Sequence, residues 1–425
     1  MKRLLPAVLL AATALTGSAL AAPAVQPLPT PGFASDNVEW LGNIPLNADT
    51  SGARLLDGHL YVTSSTQLSI YDVRVPEAPV LLSTFPVPQQ AYFAEEDVDT
   101  NGEILLISTF GQLVVMDVRD KKAPAVLSVL QGTDEHTISC VLDCTWAYGS
   151  AGVIVDLRDP KAPKKAGDWK TAVPGGVGSR HDVTEVAPGM VLTSSTTMAL
   201  LDARTDPAKP TLVRTAKTDD GRFIHANLWP REMQDRLLLV GGETATTKCD
   251  SPRAGAFMTW DTEGWQEEGG GFTMLDEYRP PVTSVPEGDA AYETYCSHWF
   301  TTRPGWEDGG QLAVSWYEHG TRFLSVDDAG QIEEIGYFVP VGTTASAAYW
   351  ASDDVLYVLD YQRGLDVLRF HDDAESAARA KKAKKAKKGN KSDGGLLAAG
   401  LRPDQAPLNP RRLLPGMLDG DDWRC

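Results

Sequence analysis

An all-β, seven-bladed β-propeller closed by an N-terminal strand is the fold this sequence predicts, on three observations. A unit of apolar strand, polar turn and second strand recurs along residues 60–370. In four successive copies an aspartate marks the same place: Asp72, Asp117, Asp156 and Asp202 stand 45, 39 and 46 residues apart, a period typical of four-stranded blades. The last copy stops after its third strand, while one strand near the start of the chain has no partner before it.

Residues 111–130 are the clearest copy. Leu113, Val114, Val115 and Met116 form a β-branched, apolar run suited to a strand buried on both faces. Residues 117–124 are polar and end in Pro124. Aspartate accepts backbone N–H groups two residues on, and proline cannot donate to a ladder, so this segment is a turn. Residues 126–130 form the next strand. Two such strands alone cannot bury their apolar face, so the unit needs neighbours.

The chain divides in order. Residues 1–21 carry Lys2 and Arg3, an apolar run and Ala19-Leu20-Ala21, the layout of a secretory signal peptide. Residues 22–37 are a Pro-rich leader and 38–370 the propeller. Blades one to four centre on 60–85, 104–130, 146–169 and 191–216. The fifth, from Arg236, is stretched by an insertion; the sixth spans 311–340; the seventh, 355–370, lacks a fourth strand. The orphan strand at residues 40–45 resembles the fourth strands of other blades and would complete the seventh, removing free sheet edges. Residues 371–425 form a Lys-rich extension read as disordered and solvated, with contact to an anionic surface as the alternative.

The net charge of −18 hides an asymmetry: residues 371–425 hold 12 basic and 8 acidic groups and the first 21 residues add +2, leaving −24 by difference on the rest. Such a body argues against a nucleic-acid surface. Export favours disulfides, so Cys140 with Cys144 and Cys249 with Cys296 are the expected pairs, and Cys425 is left over.

IYDVRVPEAP, VVMDVRDKKAP, VIVDLRDPKAP and LLDARTDPAKP resemble the LVIVD repeat, an apolar strand ending in Asp followed by a D-P-x-x-P turn. The resemblance is clear over residues 60–216 and weaker beyond. It implies a secreted or surface propeller and assigns no activity.

Chemistry is sought where the copies differ. His136, His181, His225 and His298 each lie about 9–14 residues ahead of the second strand of blades three to six, so they should open the innermost strands. Those strands line the channel, where equivalent positions converge. Four imidazoles could bind Cu, Fe or Zn, with Glu96, Asp97 or Asp182 as ligands or acceptors. The bland alternative is a set of histidines bonded to neighbouring blades or water. His59, His319 and His371 lack this alignment and read as surface or structural.

The spacing His136-x3-Cys140-x3-Cys144 also admits a zinc reading. In an extended strand, however, residues four apart are separated by about 13 Å. A tight turn at Leu142-Asp143 would instead join the sulfurs. Trp299, Trp316 and Arg322 in the aromatic-rich sixth blade are candidate ligand-binding residues, against the alternative of blade packing.

The expected function is a secreted, extracellular or periplasmic monomer serving as a binding or scaffold module for a protein or small molecule. Its alternative is a metal-dependent oxidoreductase with a channel histidine site. That alternative is architecturally similar to selenium-binding proteins of the methanethiol-oxidase type and to carotenoid oxygenases, without their sequence motifs.

Overall fold

The computed structural model describes residues 33–46, 50–64, 66–86, 94–109, 111–243, 255–267, 270–281 and 296–372. The segments expected as signal peptide and Lys-rich tail, together with Cys249 and Cys425, lie outside them.

Seven antiparallel sheets follow one another along the chain as the blades of a propeller. Their innermost strands are Thr50–Leu56, Ala94–Thr100, Ile138–Val141, Arg180–Ala187, Phe223–Leu228, Phe300–Thr302 and Ala345–Trp350. The apolar strands fold this way because each blade buries its faces only against other blades. The core consists of seven clusters among the described residues, and each joins two neighbouring blades. Leu60 and Val62 of blade one, for example, pack with Tyr357 and Leu359 of blade seven. Each fully buried aliphatic side chain contributes about 1.5–3 kcal/mol, and that burial is lost when a neighbouring blade is removed.

The repeated aspartates build the turns after the third strands. Asp72, Asp117, Asp156 and Asp202 accept the backbone N–H of Arg74, Arg119, Arg158 and Arg204 at 3.1, 3.1, 3.1 and 3.0 Å. The same arginines fold back to pair with the carboxylates, and the Arg119 guanidinium pulls Asp117 down to about 2. These pairs are solvent-facing, so they shape the turn more than they stabilise the fold. The turns in addition receive the preceding blade. Tyr148 Oη donates to Pro207 O at 2.5 Å, Tyr357 Oη to Pro76 O at 2.7 Å, and Ser83 Oγ to Lys121 O at 2.7 Å.

Ring closure follows the scheme read from the sequence. Val38–Ile44 pairs antiparallel with Gly364–Phe370 and is the outer strand of blade seven. Asp366, fully buried, ties it in: the carboxylate accepts Trp40 Nε1 at 2.9 Å and Asn43 Nδ2 at 3.1 Å, and pairs with Arg363 Nε at 2.9 Å. One feature was not anticipated. Phe33–Ala34 adds a fifth strand to blade six, pairing with Val339 and Phe338, so the N-terminal segment joins two blades.

Cys140 and Cys144 form a disulfide at the lower end of the innermost strand of blade three, which excludes the zinc reading of that spacing. The tight turn holds Leu142, Asp143 and Cys144 at φ 52°, 57° and 54°. Non-glycine residues in this left-handed region are uncommon and strained, and these lie within the turn that the bridge closes. Cys296 is fully buried; its expected pairing with Cys249 involves a residue that is not described. No helix among the described residues is long and apolar enough to cross a membrane.

Two stability outcomes are expected. Asp366→Ala strips the closing strand of its buried anchor and leaves Arg363 without that ion pair, so urea unfolding should show a loss of about 3–5 kcal/mol. A wild-type midpoint would contradict this account of closure. Replacing Cys140 and Cys144 together by alanine should cost about 2 kcal/mol, the loop-closure value for so short a ring. No change would show that the bridge contributes nothing.

Candidate metal centre

Antiparallel order decides which side chains meet. The start of every innermost strand and the turn between second and third strands lie at one end of a blade, here called the upper end. His181 and His225 are the second and third residues of their innermost strands, and His136 and His298 stand two residues before theirs. All four therefore arrive at the upper mouth of the channel.

There they form a row. His136 Nε2 is 2.9 Å from His181 Nε2. Ring centroids are 3.7 Å apart for His181 and His225 and 4.2 Å for His225 and His298. His298 Nδ1 lies 2.6 Å from Ser346 O. A carbonyl only accepts, so Nδ1 carries the hydrogen and Nε2 of the neutral ring keeps its lone pair, the tautomer a metal ligand requires.

A carboxylate joins them from a second strand. Glu243, at the end of Leu237–Glu243, is buried with His181 and His225, and one donor atom from each of the three lies within 4.8 Å of the others. Donors about 2.1 Å from a shared ion stand at most about 4.2 Å apart, so contraction by about 0.6 Å suffices. The assembled donors are nitrogen and oxygen, which suit Zn, Cu or Fe.

The surrounding residues hold this row. Glu135, next to His136, is buried and accepts the N–H groups of Ala151 and Val153; burial pushes its carboxyl up to about 7 against those bonds. Gly149 lies beneath it, and a Cβ there would come within 2.4 Å of Glu135 Cδ, so a side chain at this position would displace the carboxylate. Tyr317 has φ 42° and is 6% exposed; for so bulky a residue that backbone costs about 1–3 kcal/mol. Its ring centroid lies 4.5 Å from that of His298, and its hydroxyl donates to Glu243 Oε1 at 3.2 Å.

The other residues singled out from the sequence separate clearly. Asp182 is fully buried and accepts Thr137 Oγ1 at 3.1 Å and Thr184 Oγ1 at 2.8 Å, so it ties blade three to blade four; burial raises its carboxyl to about 6. The Glu96 and Asp97 side chains lie outside the described residues. Trp299 borders the row, 5.3 Å from the His225 ring and 6.2 Å from His298. Trp316 instead packs in the core between blades five and six, edge-on to Tyr278. Arg322 is fully buried and bonds His319 O at 3.1 Å and Glu334 at 3.3 Å. Its charge adds to the burial that holds His319 down to about 3. His59 bonds Asp57 O at 3.0 Å, and His371 lies 3.5 Å from Glu39, both away from the row.

Glu243 was not identified from the sequence, and Tyr317 only as one of the blade-six aromatics that could reach the channel mouth, with no role as a hydrogen-bond donor. The only available signal was positional: both stand where a second strand ends, the end at which the histidines begin.

No family model matches the chain, and no curated protein does. Among solved structures, the chain is similar to the N-terminal domain of Nup159, at 11% identity, TM-score 0.48 and coverage of 81% of this chain and 98% of that one. It is also similar to the Pan2 WD40 domain of Neurospora crassa, at 9% identity, TM-score 0.51 and coverage of 81% and 98%. The Pan2 likeness is one of fold: this chain is a seven-bladed β-propeller.

Proposed function

We propose that this protein is an exported, LVIVD-type propeller that binds one transition-metal ion, Zn, Cu or Fe, at the upper mouth of its channel. His181, His225 and Glu243 are the central ligands, with His136 and His298 beside them. The observation that carries the reading is the buried convergence of those three donors from two adjacent blades. Burying ionisable groups together is costly without a partner, and a cation shared between them offsets that cost. The repeats of blades one to four support the LVIVD assignment, and the Cys140–Cys144 bridge supports an oxidising compartment.

The propeller thus serves as a binding module whose first ligand is the ion. Oxidoreductase chemistry is the second reading, favoured by the oxidisable rings of Trp299, Tyr317 and Tyr361 at 5.3, 4.5 and 6.2 Å from the nearest histidine centroids. A bound Cu or Fe would supply electron exchange or polarise a small ligand.

Metal analysis of mature protein purified without chelators should show about one transition-metal ion per chain. His181→Ala combined with His225→Ala should abolish it while the protein remains folded. Metal-free wild-type protein that also fails to take up added Zn²⁺ or Cu²⁺ would overturn the proposal.

A further inference from the structure

Resting on that metal reading, we propose that Tyr317 is the positioning residue of the centre, holding the Glu243 carboxylate toward His181 and His225. The need for such a residue follows from where Glu243 stands. Its backbone pairs with Phe223 of the innermost strand, but the ladder to the third strand ends two residues earlier, at Gly241 with Phe257. The Glu243 side chain therefore sits at the rim of its blade, where its own strand does not dictate the carboxylate's direction. The Tyr317 hydroxyl, from the adjacent blade, donates to Oε1 at 3.2 Å.

Tyr317 is itself built to be immobile. It exchanges two backbone hydrogen bonds with Ala345 of blade seven, at 2.9 and 3.0 Å. Trp316 N donates to Gly320 O at 2.7 Å across the same turn, and Gly320 N to Tyr317 O at 3.0 Å. Gly320 has φ 68° and leaves no room for a side chain, since a Cβ would lie 2.2 Å from Phe338 O. The ring rests against His298. A bulky residue is kept in the left-handed region only where its surroundings over-determine it, and such strain concentrates at functional sites. One phenol thereby links blade seven, through its backbone, to the carboxylate of blade five. A neutral donor on a metal-binding carboxylate fixes its orientation, and loss of such a partner typically weakens metal binding about 10–100-fold.

The test is a double-mutant cycle on the full mature chain, with Zn²⁺ as the probe and affinity read by competition with a chromophoric chelator. Tyr317→Phe keeps the ring and should weaken Zn²⁺ binding by about 10–100-fold, with the metal-free unfolding midpoint unchanged. In a Glu243→Ala background, which removes the acceptor, the same substitution should cause no further loss, because the hydroxyl acts through the carboxylate. Wild-type affinity in the Phe variant, or an equal loss in both backgrounds, would overturn the positioning role and leave the metal reading standing. A wild-type chain that binds no Zn²⁺, Cu²⁺ or Fe²⁺ overturns both. A lowered midpoint in the Phe variant does not blunt the cycle, since a purely structural effect appears in both backgrounds.

Discussion

Closure of the ring by Val38–Ile44 on Gly364–Phe370 is the constraint on which the remaining structure depends. An open row of sheets would leave one interface of apolar side chains exposed and two unpaired edges. Closed, it places seven innermost strands around one channel, each in contact with the next along most of the ring. Asp366 makes that closure specific by offering one carboxylate to Trp40, Asn43 and Arg363. The convergence of residues from distant parts of the sequence, His136 through His298, is a consequence of that geometry.

Within the ring, the repeated turns and the imidazole row occupy opposite ends. The Asp–Arg turns and the Cys140–Cys144 turn stand at the lower end, where they link or pin blades. The imidazole row, Glu243 and Tyr317 stand at the upper end. The division comes from strand direction alone: the third-to-fourth turn is short and repeated, whereas entry into each blade varies in length. A repeat can therefore keep its turn chemistry while single residues at the opposite end differ from blade to blade.

The parts legible in the sequence are those governed by local chemistry. Asp117 and its copies announce turns through a side chain bonding two residues ahead, and the missing fourth strand of blade seven pointed to the strand at Trp40. The histidines were legible because each precedes the second strand of its blade by a similar offset. Glu243 was not, because it adjoins an insertion that obscures the repeat, and Tyr317 was legible only as one of the blade-six aromatics, since its bond to Glu243 depends on contact between blades. Phe33–Ala34 is too short to leave a periodic mark. Whether Trp316 and Arg322 face the channel or a neighbouring blade turns on strand register, which composition does not reveal; both proved to be core residues.

On the metal proposal, the propeller gathers His181, His225 and Glu243 to hold one ion. Anomalous X-ray diffraction at the zinc edge, on crystals of the mature chain loaded with Zn²⁺, tests it most directly. A single strong peak bounded by those three side chains is expected, with His136 or His298 completing the coordination. A peak confined to surface carboxylates, or none between blades four and five, would contradict it.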